Sequence, residues 1–580
     1  MKLKKLSAFV LAAVILAALA LGACDKKIPP PDGDVQVTVS FNLNYDGAPE
    51  PPAPKTVAVG APYGTLPAPE RENFDFAGWF FRDGIEQAAK TTVVTKTVNH
   101  TLYAKWLDGD GNELPWVPDP EIPVPDWDVD PELYPQYNIP VYKKGVKMKI
   151  GAWTPYIANN QSAFDDMAAA GMTFLIPEVD QLDFADNAAA AKAALDRADT
   201  AGLKVIINDS GLSGLAFGDW TIWNTSRVSM YKNHAAFMGL FIYDEPLASA
   251  GWATNFNWVD SQFGWVAPKS AKFYQEFGAN TDKWFFMNLL PSGSGDSLYL
   301  GGSWYGTNGY AERFINKGLN CLSFDHYVLT KSSNAVNATP SVKSVYIECL
   351  EKAKKTAVKF NIPLNNEILS VPHYRSSEYY RDPTEAELRW QFVIDQTYGA
   401  EAITWYIYMT RYYSDSEWTY GEALVSPTGE KLPKYYYAQT INREAQKWAH
   451  VYTNYKWQKT VAVRQSSSSY NLFTNLDNNV VSGNNNISGV NGITGVTTDR
   501  HVLLGAFKDA DNRDGYMLTN ATDPALNYTA ATTVKFGGAY KGILIYEKGV
   551  ARVAELNAAG EAAISLAPGE GKFIMPLTVK

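Results

Sequence analysis

Between residues 146 and 450, eight apolar runs alternate with stretches of helical character, and this alternation constrains the fold more than any other feature. The runs are VKMKIGAW (146–153), MTFLIPEV (172–179), LKVIIND (203–209), FMGLFIYDEP (237–246), KWFFMNLL (283–290), LNCLSFDHYV (319–328), IPLNNEILSV (362–371) and AEAITWYIY (400–408). Between them lie NQSAFDDMAAAG, NAAAAKAALDRADTAG and SVYIECLEKAKKTAVKFN, two of which end in Gly, a common helix stop. Eight strand–helix repeats over about 300 residues point to a (β/α)8 barrel. The alternative is a doubly wound open sheet; no GxGxxG follows the first strand, and the count of eight favours the barrel.

A barrel carries its chemistry at the C-terminal ends of its strands. Those ends supply Trp153, Glu178, Asn208 with Asp209, Asp244 with Glu245, Asn288, Asp325-His326-Tyr327, Asn365-Asn366-Glu367 and Trp405-Tyr406. Acids beside aromatics suit a neutral polyhydroxylated substrate, and aromatic residues reach 13% of the chain, with 17 Trp and 34 Tyr. There is no CxxC and no clustered His/Cys, so no metal site and no cofactor is expected. A net charge of −10 argues against nucleic acid and anionic membrane surfaces as partners.

Strand parity sorts the candidates. In the fourth strand Met238, Leu240 and Ile242 share the helix-facing side, while Gly239, Phe241, Tyr243 and Glu245 face inward; Asp244 begins the loop. In the seventh, Leu364, Asn366 and Ile368 face the helices, and Asn365 and Glu367 face inward. Glu245 and Glu367 therefore view one pocket from well-separated strands, the arrangement needed for glycoside hydrolysis by two carboxylates. Substrate contacts are expected from Trp153, Glu178, Asn208, Asp244, Asp325, His326 and Tyr327, with Trp405 as the platform under the sugar. Asp325 could instead orient Glu367. Arg375 and Arg381 read as solvated loop arginines rather than ligands of an acidic sugar.

The flanks differ in character. Residues 1–24, MKLKKLSAFVLAAVILAALALGAC, have Lys2, Lys4 and Lys5, an apolar run and small residues, the form of a secretory signal. Residues 25–34 are a short tether. Residues 35–106 begin with alternating strand periodicity closing on Asp46-Gly47. Residues 107–145 are rich in Pro and Asp, including Trp116 and Trp127, and read as an extended linker. Residues 455–580 carry short strands separated by turns, an expected antiparallel β-sandwich packed on the barrel, with a Ser/Asn-rich loop at about 465–497. Cys321 and Cys349 could pair or remain buried thiols.

Three resemblances add to this reading. Leu21-Gly22-Ala23-Cys24 resembles the lipobox of bacterial lipoproteins, which implies cleavage before Cys24, a lipid on its sulfur, and an exported protein tethered outside the cytoplasm. The opening strand with Tyr45-Asp46-Gly47, the Gly78-Trp79-Phe80 centre and the closing Leu102-Tyr-Ala-Lys-Trp106 resemble the internalin-type B-repeat, or Listeria–Bacteroides repeat, a small β-grasp-like surface module. Asp244-Glu245-Pro246 at the fourth strand, and YYRDPTEAELRWQFVIDQTYGAEAITWYIY (379–408), resemble glycoside hydrolase clan A. That resemblance implies Glu245 as acid/base, Glu367 as nucleophile, and retaining hydrolysis of a β-linked glucan or galactoside. Two departures stand out: Asp244 occupies the place of a usual Asn, and Glu367 sits in PLNNEIL without the customary flanks. The rival reading is a non-catalytic glycan-binding protein on a degenerate barrel.

Overall fold

The computed structural model describes residues 36–580 apart from 46–47, 82–86, 95–99, 110, 112–127, 155–159, 178–183, 213–222, 247–262, 292–308, 336, 412–417, 466–470, 474–475, 477–479, 483–486 and 488–489. The expected leader with Cys24, the tether, Trp116, Trp127 and Glu178 lie outside the described residues. The chain divides into two compact units, residues 1–134 and 135–580.

The first unit holds a five-stranded sheet in the order Lys55–Ala58, Gln36–Asn42, His100–Leu107, Asp75–Phe80, Gln87–Ala88. Gln36–Asn42 runs parallel to His100–Leu107; the other pairs are antiparallel. Alternation gives each strand one apolar face, and Val37, Val39, Phe41, Trp79, Leu102 and Trp106 fuse into one core. The buried Trp106 indole N–H donates to the Leu43 carbonyl at 2.8 Å, so the ring is packed without leaving its polar atom unsatisfied. Among the described residues of 36–107 no helix occurs.

The second unit contains a closed barrel of eight parallel strands. They are β1 (Lys149–Thr154), β2 (Phe174–Pro177), β3 (Lys204–Asn208), β4 (Phe237–Asp244), β5 (Trp284–Leu289), β6 (Leu322–Asp325), β7 (Leu364–Leu369) and β8 (Ala402–Tyr406). Seven lie within one of the eight apolar runs, and β1 runs one residue past the first. The crossovers contribute α1 (Gln161–Ala169), α2 (Phe184–Thr200), α3 (Ser226–Lys232), α4 (Val266–Phe277), α5 (Tyr310–Asn316), α6 (Tyr346–Phe360), α7 (Glu385–Thr397) and α8 (Pro433–Tyr452). Strands covered by helices outside and by side chains inside must be apolar on both faces, which is why the runs lack clean alternation. The helix starts are written locally. Asn160 accepts from the Ala163 N–H at 3.0 Å, and Thr384 with Glu387 forms a full capping box on α7.

Two further sheets follow. One has seven strands and the other three, Ile493–Thr498, Ala530–Phe536 and Glu561–Leu566. Val461, Leu504, Leu518, Ile545 and Ile574 of the first share one core with Val496, Val534 and Ile564 of the second. The strand Ile493–Thr498 falls where a loop to about 497 was expected. Its buried positions are Ile493, Val496 and Thr498, with the period broken by an irregularity between Ile493 and Gly495, and the Ser/Asn composition preceding it hid that short pattern.

These sheets pack on the barrel through α7. A side chain at Gly505 would run into the Thr397 carbonyl, and Gly569, at φ 74°, lies equally close to the Ala386 carbonyl. The Thr397 and Thr519 hydroxyls meet at 2.7 Å. Arg381 is buried and bridges Glu387 at 2.6 Å and Asp523 at 2.7 Å, while donating to the Thr330 and Ser341 carbonyls. The expectation of a solvated Arg381 is thus corrected: four of its donors are engaged in a buried seam that would otherwise strand two carboxylates. Residues 135–145, expected as linker, also pack in this unit. Asn138 donates to the Thr578 carbonyl at 3.0 Å, and the Tyr142 hydroxyl reaches Asp509 at 2.9 Å. Cys321 and Cys349 are both buried and are not joined in a disulfide.

Candidate active site

The fourth strand is where local geometry does most to shape the site. Its pairing with β5 passes from Phe241–Phe286 to Tyr243–Met287, so Ile242 is an extra residue, a β-bulge. A bulge reverses the alternation beyond it. Phe241 faces the lumen, edge-on to Trp153 at 5.3 Å. Tyr243 turns to the helix side and packs on Phe263, which in turn meets Phe314 of α5. Asp244 then faces the cavity and accepts from the Asn288 amide at 3.3 Å. Uninterrupted parity had placed Tyr243 inward and Asp244 in the loop; the bulge overturns both.

Glu245 enters by a different device. Its φ is +39°, a left-handed conformation that costs a residue with a Cβ about 1–2 kcal/mol. Its N–H donates to the Asn288 carbonyl at 2.9 Å, which holds the turn in place. The consequence is that two successive residues, Asp244 and Glu245, both line one cavity. Strained backbone held by its surroundings is characteristic of working sites.

That cavity, about 630 Å³, opens at the C-terminal rim. Besides Asp244 and Glu245 it is lined by Trp153, Asn288, Asp325, His326, Tyr327 and Glu367. Asp325 of β6 and Glu367 of β7 are direct register partners. Beneath them a ladder of lumen-facing polar groups fixes the strands. Thr404 donates to Asn365 at 2.9 Å, Asn365 to Ser323 at 3.0 Å, and Ser323 to Asn288 at 3.3 Å.

The four carboxyl groups perturb one another. Glu245 is pushed well above the usual carboxylate range, first by the Asp325 charge, then by burial and by Asp244; it also shares a hydrogen bond with Asp325. Asp325 is raised by burial, against hydrogen bonds from Glu245, Asn288 and Tyr327. Glu367 is 1% exposed and is raised by burial, then by Asp325, Asp244 and Glu245. Each charge in such a cluster opposes ionisation of its neighbours, and burial acts in the same direction. Among the described residues no protein group bonds Glu367 Oε1 or Asp325 Oδ1. Two buried acceptor atoms facing a cavity without a protein partner are exceptions that point to a ligand.

One wall is aromatic. Tyr327 stacks on Tyr406 at 4.9 Å, and the Tyr406 hydroxyl lies 3.3 Å from that of Tyr420. His373 stacks on Tyr420 and meets Tyr380 and Trp418. Burial keeps His373 and His326 neutral, their pKa values down at about 4 and about 3. His326 lines the cavity but sets its ring edge-on to Tyr346 of α6. Lys343, Arg375 and Arg411 complete the lining, Arg375 paired with Glu378 at 2.6 Å.

The structure brings together Glu245, Glu367, Trp153, Asp244, Asp325, His326 and Tyr327. Asn208 is buried at the end of β3 and is not among the cavity-lining residues; its neighbour Asp209 is engaged by Arg227 at 2.7 Å and the Tyr231 hydroxyl at 2.9 Å. Trp405 is corrected outright. It is fully buried on the helix side, stacked on Phe392 of α7, with its indole N–H donating to Asn442 of α8 at 3.0 Å. Parity was the available signal. Thr404 faces the lumen, so Tyr406 does too, and the platform expected one residue earlier is Tyr406. The second aromatic layer carried no such signal, because it depends on strands of two or three residues, His373–Arg375, Glu378–Tyr379 and Thr419–Tyr420, pairing across the loops after β7 and β8.

No curated protein matches the chain. Several solved structures resemble it at low identity. A β-galactosidase from the psychrophilic Marinomonas ef1 is 11% identical, over 52% of this chain and 60% of that one, with a TM-score of 0.34. An endo-β-1,4-mannanase from Thermotoga petrophila is 11% identical over 73% and 92%, TM-score 0.32. A catalytic mutant of a GH42 β-galactosidase from G. stearothermophilus is 8% identical over 76% and 99%, TM-score 0.39. The Listeria–Bacteroides repeat family model matches residues 38–105, so the chain carries one Listeria–Bacteroides repeat domain ahead of its barrel.

Proposed function

We propose that the protein is a glycoside hydrolase that cleaves a β-linked oligo- or polysaccharide with retention of configuration. The observation that carries the reading is the meeting of Glu245, from the end of β4, and Glu367, from the end of β7, in one cavity with an aromatic wall. Two carboxyl groups with different surroundings are what retaining hydrolysis needs. Glu245, on the open side of the cluster and hydrogen-bonded to Asp325, holds its proton near neutral pH and passes it to the glycosidic oxygen. Glu367 Oε1 attacks the anomeric carbon, and the leaving sugar departs with the proton. The positive charge that develops on the sugar ring favours ionised Glu367, offsetting the desolvation that raises its pKa. Glu245, now ionised, takes a proton from water, which displaces Glu367 and regenerates both groups.

Tyr406 and Tyr327 supply the face on which the reacting sugar rests, while Asp244 and Asn288 stand beside the acid/base as hydroxyl partners. The two C-terminal sheets with their shared core support a β-sandwich that stiffens the barrel through α7. Residues 1–24 with Cys24 support export and a lipid anchor, with the repeat domain and the residues after it as a spacer at the cell surface. Nucleic acid has no place in this reading. The test is a screen of wild type and Glu245→Gln on β-glucans, galactans, mannans and xylans. Hydrolysis by wild type with loss in the variant is expected. Equal activity in both removes Glu245 from the mechanism, and binding without hydrolysis by either points to a glycan-binding protein.

A further inference from the structure

The three short strands that close the cavity form a two-faced strap. His373 and Tyr420 are register partners on the face toward the catalytic cavity. On the other face Tyr374 pairs across to Tyr379 on one side and Thr419 on the other. Their alternation follows from the strand period, so aromatic residues on both faces are written into HYRSSEYY, 373–380. The Tyr374 and Tyr379 rings lie 21° from parallel with centroids 6.3 Å apart. The Tyr379 hydroxyl donates to the Ser376 carbonyl at 3.1 Å, which fixes one ring against the hairpin turn. These residues line a second hollow of about 310 Å³, together with Asn334, Arg375, Ser376 and Thr419. Arg375, at the hairpin tip, lines both hollows.

We propose that this outer hollow is a distal glycan subsite, binding a further pyranose of the same β-linked chain whose scissile bond lies in the catalytic cavity. The idea rests on the hydrolase reading above. Two near-parallel, half-buried tyrosines in offset stacking make a stepped apolar plate at little entropic cost, and its open ring face matches the C–H face of a sugar ring. Asn334, Ser376 and Thr419 ring the plate with short polar groups able to exchange hydrogen bonds with hydroxyls. Arg375 lines both hollows, which therefore adjoin at the hairpin tip, and in this proposal one chain passes that tip to occupy both. The enzyme then prefers oligomers and polymers over small glycosides.

The test uses the full chain, carrying Tyr374→Ala with Tyr379→Ala, and as a control Tyr374→Phe. Binding is read by native-gel retardation in β-glucan, β-1,4-galactan, β-1,4-mannan and xylan. Activity is read on the polymer that wild type cleaves and on the matching aryl glycoside. The double variant is expected to lose retardation and about tenfold in kcat/KM on polymer, with the aryl glycoside unchanged and Tyr374→Phe near wild type. Unchanged polymer kinetics, or equal loss on polymer and aryl glycoside, overturns the subsite. Tyrosine-dependent retardation without any hydrolysis by wild type upholds the subsite and sinks the hydrolase reading. Neither retardation nor hydrolysis by wild type on all four polymers sinks both.

Discussion

Two buried carboxyl groups lie on opposite sides of the seventh strand, and their contrast separates architecture from chemistry. On the helix side Asp395 of α7 is fully buried, yet its oxygens accept from the Asn366 amide at 2.9 and 3.0 Å and from the Tyr346 hydroxyl at 3.1 Å. On the lumen side Glu367 is as deeply buried, but Oε1 has no bond from any described protein group and faces the cavity among three other acids. Burial raises both pKa values, Asp395 to about 7. Burial alone therefore says little about role. What distinguishes the two is whether the protein completes the hydrogen-bonding of the group or leaves it open toward a space the size of a sugar.

The sharpest way to break this contrast is to neutralise each acid in turn. Glu367→Gln is expected to lower kcat by about 10⁴-fold or more while leaving the melting temperature within a few degrees, measured by steady-state kinetics and calorimetry. Glu245→Gln is expected to cost about 10²–10⁴-fold on substrates with poor leaving groups and far less on activated aryl glycosides. A third experiment works on the charge around Glu245. Asp325→Asn removes the largest influence raising the Glu245 pKa, so the alkaline limb of the kcat/KM profile should move to lower pH. An unmoved limb means Asp325 does not govern the acid/base.

Strand eight offers a smaller contrast of the same kind. Tyr406→Ala is expected to raise KM about tenfold through loss of the stacking face, whereas Trp405→Phe leaves KM alone and costs about 1–2 kcal/mol of stability by denaturant unfolding. The mildest expectation concerns pH and stability. The native pKa of Asp395, about 7, lies above that of an unfolded carboxyl group. Its contribution is thus fully present in acid and is lost as pH rises through about 7. Relative to Asp395→Asn, the wild type should lose about 1.4 kcal/mol per pH unit between pH 4 and 7. A flat difference would place that proton elsewhere.

Much of this was legible in the sequence, and the rest failed for identifiable reasons. The eight strands were found because a closed barrel demands buried apolar runs at regular spacing, and Glu367 was aimed correctly because strand seven is regular. Glu245 reaches the cavity as expected but by a bulge at Ile242 and a left-handed turn, neither of which leaves a local composition signal. The same bulge brought Asp244 inward. Trp405 misleads because a large aromatic at a strand end suggests a sugar platform, whereas its parity turns it to Phe392 and Asn442 on the helix side. Arg381 looked like a loop arginine because its partner Asp523 is 142 residues away.

Trapping the covalent intermediate tests the central claim most directly. Wild-type protein is incubated with activated 2-deoxy-2-fluoro glycosides of gluco, galacto, manno and xylo configuration, then digested and analysed by mass spectrometry. One of these sugars is predicted to label the peptide containing Glu367, at that residue, and Glu367→Gln should not be labelled. A label on Asp325 or Asp244, or hydrolysis that releases the inverted anomer first, would contradict the assignment of Glu367 as the nucleophile.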